Sequence, residues 1–328
     1  MQGSEPLQIY RRGNPLKNIS RRSMIQGAAA GTAIAAVGRP TFAQEDMDPI
    51  VVASSDYTEQ FILAEMMALM LEDAGYAVER EHNLGGTFVV HEGREAGDID
   101  VHVDYTGQSL TILDKTVEDI ADEGDTRDEQ VEKVYEYVKE TYEEEFNTIW
   151  LDPLGLNNTY ALAMRREDAE ERGIETYSDL IPVANELTLG ASQEFLVRDD
   201  GLLGIQDLYG MTFSNTSGMA SGLMYSALQE GEMDVISAFA TDGRIQSMDF
   251  VLLEDDLGFF PPYYACPLVR AEIIEQAPET REILNQLAGK IDDSTMQGLN
   301  FRVDDGGEEF SDVARDFLTE QGIIGGDN

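Results

Sequence analysis

The sequence is poor in cysteine, in basic residues and in long apolar stretches. Its 328 residues include a single cysteine, so no disulfide can form within the chain. Lys and Arg together number 22 against 64 Asp and Glu, which gives a formal net charge of -42. Such a negative surface repels phosphate groups and argues against nucleic acids and anionic membranes as partners. No stretch approaches the roughly 20 apolar residues that span a bilayer.

The one cysteine and the few histidines offer little reactive chemistry. Cys266 lies in the apolar run YYACPLV, which is typical of a buried strand and argues against a nucleophilic role. The histidines and nearby acids leave a metal site open as an alternative, because imidazole and carboxylate groups bind zinc and similar ions. These residues are His82, His91, His102, Asp98, Asp100 and Asp104. Neither HExxH nor a paired histidine spacing is present, so we predict no metal and no cofactor.

The rest of the composition is that of a globular protein. Hydrophobic residues make up 42% of the chain and aromatic residues 8%, which argues against disorder. The acids are spread along the whole sequence, which favours an acid-coated protein from a very salty environment. A polyanion that collects cations is the alternative. A chain of 328 residues is long enough for two domains or for one large domain.

Residues 1–43 differ from the rest in carrying a net positive charge. Six Lys and Arg against the single Glu5 give +5, so the remainder of the chain carries -47 (-42 minus 5). The stretch SRRSMI precedes the mildly apolar run GAAAGTAIAAVG and a small-residue cleavage site ending at Ala43. This layout predicts an export signal, with a basic N-terminal arm as the alternative, and Arg21-Arg22 resembles a twin-arginine signal. No cysteine follows the apolar run, so we expect no lipid anchor and a soluble protein outside the cytoplasm.

Short apolar strands alternate with amphipathic helices along the rest of the chain. The strand PIVVAS precedes a helix that Thr58 is expected to cap and Gly75 to end, and Thr87 is expected to cap the next helix. Later strands are predicted in VHVDY, YALAMR, LTLGAS, DVISAF, DFVLL and YYACPLV. This alternation predicts an α/β protein with open, mostly parallel sheets.

Aromatic side chains stand at the ends of several predicted strands. Tyr105 and Phe239 each close a strand just before a turn. Tyr160 begins a strand, and Tyr263 follows a Pro-Pro step whose fixed φ angles stiffen the approach. Ligands of open α/β sheets bind at strand ends, so these four rings are candidates for a ligand site. The alternative is that each is an ordinary core ring.

Two further patterns suggest chemistry but lack the partners that it needs. The Gly-Gly-Thr turn at residues 85–87 could hold a phosphate at a helix start, yet the longer Gly-Lys-Thr pattern is absent. The consecutive acids at residues 254–256 are candidates for acid–base catalysis, but no nucleophile or metal-binding group accompanies them. We therefore predict that the protein is not an enzyme.

Eight stretches carry a resemblance to a known family. They are TEQFILAEMMALMLEDAGY, NLGGT, VDYTG, YALAMR, EFLVRDDGL, LMYSALQEGEMDVISAFATDGRI, LEDD followed by PPYY, and IDDSTMQGLN. Together they resemble the substrate-binding proteins of glycine betaine/choline ABC transporters, from about residue 50 to residue 324. The resemblance implies a type II periplasmic-binding-protein fold, in which two α/β lobes are joined by two crossover hinge strands. Lobe I would comprise residues 44–153 and 257–328, and lobe II residues 154–256, with the ligand in the cleft between them.

The resemblance also implies an aromatic cage for an ammonium group. The family's cage residues are matched by Tyr105 and Tyr263 of lobe I and by Tyr160 and Phe239 of lobe II. Closure of the two lobes would complete such a cage. Phe239 stands where family members often carry tyrosine, so a ring face is kept while a hydroxyl is lost.

The polar end of the ligand is implied in the same way. Arg198 matches the family's carboxylate-binding arginine, and a surface arginine paired with a neighbouring acid is the alternative. Ser55 stands where many relatives carry lysine, and Gln108 and Asn158 replace a common threonine and aspartate. The missing lysine leaves room for choline, or for a carboxylate held by Ser55 and Gln108.

These observations predict an exported, monomeric solute-binding protein. It would capture glycine betaine or a related quaternary ammonium osmoprotectant and deliver it to a membrane-embedded ABC permease. The alternatives are a binding protein for choline or another methylated amine and, in a different class, an exported metal-binding protein.

Overall fold

The structure is a computed structural model that describes residues 47–122, 124–198 and 201–325. The predicted export signal in residues 1–43 lies outside the described residues. Of the helices in these ranges, none is both long and apolar enough to cross a membrane.

Ten strands and fourteen helices alternate along the described chain. The strands are β1 Ile50–Ala53, β2 Val78–Glu81, β3 Val101–Tyr105, β4 Thr148–Trp150, β5 Tyr160–Arg165, β6 Thr188–Ala191, β7 Asn215–Gly218, β8 Val235–Phe239, β9 Phe250–Leu252 and β10 Ala265–Arg270. The helices are α1 Thr58–Asp73, α2 Thr87–Ala96, α3 Thr106–Ile112, α4 Arg127–Phe146, α5 Arg166–Arg172, α6 Tyr177–Leu180, α7 Gln193–Val197, α8 Leu202–Tyr209, α9 Ser221–Gln229, α10 Gly243–Ser247, α11 Ala271–Gln276, α12 Glu279–Leu284, α13 Asp293–Asp304 and α14 Phe310–Glu320.

The strands form two five-stranded sheets. The first sheet has the order β2-β1-β3-β10-β4, and the second has the order β7-β6-β8-β5-β9. Strand β1 runs parallel to β2 and β3, while β10 runs antiparallel to β3 and β4. Likewise β6 runs parallel to β7 and β8, while β5 runs antiparallel to β8 and β9. The predicted α/β class with two separate sheets is confirmed.

The prediction of mostly parallel sheets is wrong, because both sheets are mixed. Alternating strands and helices force parallel pairing only when successive strands belong to one sheet. Here β4 and β5 lie in different sheets, as do β9 and β10. The strand that enters each sheet after such a crossing, β5 or β10, runs against its two neighbours.

Helix α1 is the central helix of the first sheet's core. Twelve of its 16 residues are buried, as expected for a helix that is apolar on nearly all sides. It packs with β1, β3 and β10 and with α13 and α14 into one hydrophobic cluster. Its first turn therefore lies in a fixed position beside the carboxyl ends of β1 and β3.

Both predicted helix caps are displaced by one residue. Tyr57 precedes α1 and Gly86 precedes α2, so Thr58 and Thr87 are the first helical residues. The two hydroxyls form other hydrogen bonds: Thr58 donates to Asp304 Oδ1 at 2.6 Å, and Thr87 donates to Gln108 Oε1. Gly75 follows α1 with a φ of 97°, as predicted for a residue that ends a helix.

The chain passes between the two sheets twice, over residues 151–159 and 253–264. The two connections run side by side in opposite directions and share backbone hydrogen bonds. Ala265 donates to the carbonyl of Leu156 at 3.2 Å, and Asn158 donates to the carbonyl of Tyr263 at 3.1 Å. This pairing places Asn158 next to Tyr263. The exact lobe bounds, 44–153 with 257–328 and 154–256, stay a prediction.

Candidate functional site

A cavity of 550 Å³ receives side chains from both sheets and from the crossovers. It contains six of the eight residues predicted for the site. These are Tyr105, Gln108, Asn158, Tyr160, Phe239 and Tyr263. The four rings, which are far apart in the sequence, therefore line a single cavity.

Tyr160 and Phe239 form the part of the cavity wall that the second sheet contributes. They are directly opposite residues of the antiparallel pair β5–β8, and their ring centroids are 4.5 Å apart at an interplanar angle of 32°. Tyr160 also contacts Phe195 and Phe260, at centroid distances of 5.4 Å and 6.0 Å. Phe239 is 42% exposed although it is a large apolar residue. An exposed ring held in a cavity is typical of a binding surface rather than of a core.

Tyr105, the last residue of β3, is 2% exposed and forms part of the cavity's inner wall. Its hydroxyl donates to Glu59 Oε1 and accepts from Gln60 Nε2 at 3.2 Å. Both partners lie in the first turn of α1. The helix that anchors the first lobe therefore also fixes this ring.

Glu59 is a member of the site that the sequence analysis did not single out. It lines the cavity, yet it is 2% exposed. Asn158 Nδ2 donates to its Oε1 at 3.0 Å, and Asn300 Nδ2 donates to its Oε2 at 3.4 Å. Burial raises the pKa of the Glu59 carboxyl, and hydrogen bonds from Thr241, Tyr105 and the two asparagines offset part of that rise.

Tyr57 also lines the cavity and was not among the residues predicted for the site. Burial, followed by the nearby charge of Glu59, raises the pKa of its phenol, which also forms a hydrogen bond with Tyr105. Their position could have indicated this role, since Tyr57 and Glu59 follow the carboxyl end of β1, where ligands of α/β sheets bind.

The polar residues predicted from the resemblance do not all line the same cavity. Gln108 and Asn158 line the cavity, and Gln108 Oε1 accepts a hydrogen bond from Thr87 at 2.9 Å. Arg198 is exposed after α7 and lines an adjoining cavity of 630 Å³, which shares Tyr160 and Tyr263 with the first. Ser55 is 6% exposed and does not line either cavity.

Two buried oxygens in the cavity wall have no hydrogen-bond partner among the described residues. They are Asn158 Oδ1 and Thr159 Oγ1. A buried polar atom without a partner costs free energy, so these atoms are suited to bind a ligand's polar end or a water.

The histidines and the cysteine have other surroundings. His102 is 2% exposed within β3, and burial lowers its pKa. His91 packs edge-on against Tyr142 and Phe146, and burial lowers its pKa to about 4. Across residues 47–122, 124–198 and 201–325, no group of three or more His, Cys, Asp or Glu is arranged to hold a metal ion. Cys266 is fully buried in β10 as predicted, and burial raises the pKa of its thiol.

The consecutive acids at residues 254–256 hold a loop in place. Asp255 accepts hydrogen bonds from the backbone of Phe259 and Phe260 at 3.0 Å and 2.8 Å, and from the Tyr209 hydroxyl. Asp256 accepts from the backbone of Ser178 at 3.1 Å. These contacts give the acids a structural role beside the aromatic segment.

Comparison with known proteins identifies relatives that are similar in sequence and a solved structure that is similar in fold. The chain is 36% identical over 84% of its length to the ergothioneine transport permease/ergothioneine binding protein EgtU of Helicobacter pylori, and spans 48% of that protein. It is 35% identical over 88% of its length to the carnitine transport binding protein OpuCC of Listeria monocytogenes, and spans 92% of it. A solved structure described as a glycine betaine/carnitine/choline ABC transporter superimposes with a TM-score of 0.78 at 31% identity, over 84% of this chain and 99% of that chain.

The family assignment rests on a match over most of the chain. Residues 48–320 match the family OpuAC, described as the substrate binding domain of an ABC-type glycine betaine transport system. The matched range contains every residue that lines the aromatic cavity. The chain therefore belongs to the OpuAC family, the substrate-binding domains of ABC-type glycine betaine transport systems.

Proposed function

We propose that this substrate-binding protein captures a quaternary ammonium solute, with glycine betaine as the first candidate, and delivers it to an ABC permease. The observation that carries the proposal is the cavity lined by Tyr105, Tyr160, Phe239 and Tyr263, which come from the two sheets and a crossover. A quaternary ammonium group cannot donate a hydrogen bond, and its charge is spread beneath methyl groups. Aromatic faces attract such a cation by about 0.5 to 2 kcal/mol per ring, depending on desolvation.

The origin of the rings supports capture by closure of the two lobes. Tyr105 belongs to the first sheet, Tyr160 and Phe239 belong to the second, and Tyr263 lies in a crossover. Movement of one lobe against the other would change the enclosure of a cation between these rings. Hinged closure around a ligand is a common motion of two-lobed binding proteins.

The polar groups support a zwitterion that carries a carboxylate. Arg198 lines the adjoining cavity, which shares Tyr160 and Tyr263 with the first, and a guanidinium can donate two parallel hydrogen bonds to a carboxylate. Two relatives are described as binding proteins for carnitine and for glycine betaine. Both of those compounds combine a trimethylammonium group with a carboxylate, which is the chemistry proposed for the ligand.

Choline is a second candidate because of one observation. Asn158 Oδ1 is a buried acceptor without a partner among the described residues, and choline ends in a hydroxyl that can donate to it. A betaine carboxylate has no such donor. The aromatic rings that contact a trimethylammonium group would bind either ligand equally well.

Calorimetric titration with glycine betaine, choline, carnitine and zinc chloride at one fixed KCl concentration tests the proposal. We expect saturable binding of at least one quaternary ammonium compound and a loss of about 1 to 2 kcal/mol in Tyr263→Ala for each compound that binds. Tyr263 is half-buried, whereas the fully buried Tyr105 would also lose core packing when truncated. Binding of zinc alone would overturn the proposal in favour of the metal-binding alternative.

We further propose that the protein acts in the periplasm or the extracellular space, as substrate-binding proteins of ABC importers do, and that it arrives there by the twin-arginine route. A monomer is expected to suffice, since one chain supplies all four rings. Light scattering of the purified protein with and without ligand measures the oligomeric state. The acidic composition further supports a protein adapted to high salt.

A further inference from the structure

Glu59 is a buried carboxylate surrounded by neutral hydrogen-bond partners. In the described part of the chain, no Lys, Arg or His forms an ion pair with it, and its partners there are neutral. Glu65 on the same helix is the contrasting case. It is 5% exposed and pairs with Arg80 at 2.8 Å, and His82 lies 3.4 Å from it. Buried charges are normally paired, so a cation in the cavity would stabilise the ionised form of Glu59.

The hydrogen bonds of Glu59 join it to a cage ring and to both sides of the cavity. The Tyr105 hydroxyl donates to Oε1, and Asn158 of the crossover donates to the same oxygen at 3.0 Å. Asn300 of α13 donates to Oε2 at 3.4 Å and to the carbonyl of Thr241, after β8, at 2.9 Å. The carboxylate is therefore held beside the cavity by donors that keep one oxygen against the Tyr105 phenol.

We propose that Glu59 is the specificity-determining counter-charge of the cavity, which acts through Tyr105 to select a positively charged head group over an uncharged group of the same shape. The inference rests on the proposed quaternary ammonium ligand and adds a residue to its recognition. A phenol that donates to a carboxylate becomes richer in electrons, and this strengthens the attraction of its ring face for a cation. The carboxylate also contributes a negative potential that water does not screen, because Glu59 is buried.

The effect of Glu59 on binding must be distinguished from the effects of other charged groups around the cavity. Asp242 and Asp304 also line the cavity, but Asp242 pairs with Arg244, and Asp304 is exposed and accepts from Thr58. On the inner side, Tyr57 contacts Tyr105, and the charge of Asp104 acts on Tyr57. Burial first of all raises the pKa of Asp104 to about 6, so this group also contributes to a pH dependence. A variant at position 59 is needed to isolate its contribution.

The experiment compares choline with 3,3-dimethylbutan-1-ol, in which carbon replaces the ammonium nitrogen and the charge is absent. Each is titrated into wild type, Glu59→Gln and the matched control Glu65→Gln at one KCl concentration, and the ratio of the two dissociation constants is measured. We expect Glu59→Gln to lower the preference for choline about 10-fold and to leave binding of the alcohol nearly unchanged. Glu65→Gln should keep the wild-type ratio, since Glu65 does not line the cavity.

A pH series distinguishes a charge from a merely structural contact. Burial holds the pKa of Glu59 above its ordinary value of 4.5, and a bound cation favours the ionised carboxylate. Choline affinity is therefore full above the pKa of Glu59 in the free protein and falls as the pH is lowered through it. The part of this slope due to Glu59 should vanish in Glu59→Gln, while any part due to Asp104, Asp242 or Asp304 should remain.

Two outcomes would overturn the inference. Equal loss of both ligands in Glu59→Gln, with an unchanged pH profile, would mean that Glu59 only supports the wall of the cavity. If that variant does not fold, Tyr105→Phe keeps the ring and removes its link to Glu59, and an unchanged choline preference in it would refute action through Tyr105. A wild type that binds no quaternary ammonium compound would instead overturn the proposed function, and this inference with it.

Discussion

Gly107 lies directly against the ring of Tyr263. A Cβ built at position 107 would be 2.8 Å from both Cε1 and Cζ of that ring, closer than side chains pack. Gly107 is in the first turn of α3, and Tyr263 lies near the end of the second crossover, where its backbone N–H donates to Asn157 Oδ1 at 2.7 Å. The missing side chain thus makes room for the Tyr263 ring, which lines the cavity and which the crossover holds in place.

Gly107→Ala is expected to displace the Tyr263 ring, because the crossover backbone is fixed by hydrogen bonds and the helix backbone does not move easily. We expect an affinity loss of about 1 to 2 kcal/mol for quaternary ammonium ligands, with a small change in melting temperature. The matched control is Gly222→Ala, where the nearest atom to the new Cβ is 4.0 Å away. Titration calorimetry measures both, and an unchanged affinity in Gly107→Ala would show that Tyr263 does not contact the ligand.

Phe239→Ala should weaken binding much more than it weakens folding. The ring is 42% exposed and packs against Tyr160 at a tilt of 32°, so its removal takes an aromatic face from the cavity and changes the core little. The expected affinity loss is about 1 to 2 kcal/mol, or roughly 5- to 30-fold. Leu223→Ala, at an apolar side chain that is 62% exposed away from the cavity, serves as the control and should bind as wild type does. Equal ligand affinities of Phe239→Ala and Leu223→Ala would show that Phe239 does not contact the ligand.

Arg198→Ala should separate the two candidate ligands. A carboxylate gives the guanidinium an anionic partner, so betaine should lose about 1.5 to 3 kcal/mol, which is roughly 10- to 150-fold in affinity. Choline lacks the carboxylate and should bind about as well as before. The measurement is titration of both ligands at one salt concentration. Equal losses would indicate that Arg198 supports closure or folding rather than reading a carboxylate.

The stability of the protein should rise steeply with salt. Residues 44–328 carry a formal charge of -47 (-42 minus 5), so like charges repel throughout the folded chain. The Debye length falls from about 10 Å at 0.1 M to about 3 Å at 1 M salt, which screens this repulsion. We expect the melting temperature to increase strongly from 0.1 M to 2 M KCl. A melting temperature independent of KCl would argue against adaptation to high salt.

Export should depend on the arginine pair of the N-terminal segment. Replacement of Arg21 and Arg22 by lysine keeps the positive charge and removes the guanidinium groups. If the segment is a twin-arginine signal, the precursor should accumulate in the cytoplasm, as shown by fractionation and immunoblotting. Normal export of the double variant would indicate the general secretion route.

Several features of the fold were predictable because local patterns specify them. Strands β5, β6, β8 and β10 coincide with apolar runs of the sequence. Strands β4 and β7 were missed. The first has three residues, and the second reads NTSG, without a buried residue, so neither has a periodic apolar signal.

The sequence by itself determined the four candidate rings, since Tyr105, Tyr160, Phe239 and Tyr263 all fall at strand ends or in a crossover and line one cavity. It also determined the α/β class and the acidic surface, because composition and periodicity are local properties. Tertiary structure decided what lies beside those rings. In the sequence Glu59 is one of many acids and has no distinguishing pattern. Only the packing of α1 against β3 buries it and brings it to the Tyr105 hydroxyl. The antiparallel entry of β5 and β10 and the place of Arg198 in the adjoining cavity were likewise set by pairing between distant segments, which no local pattern encodes.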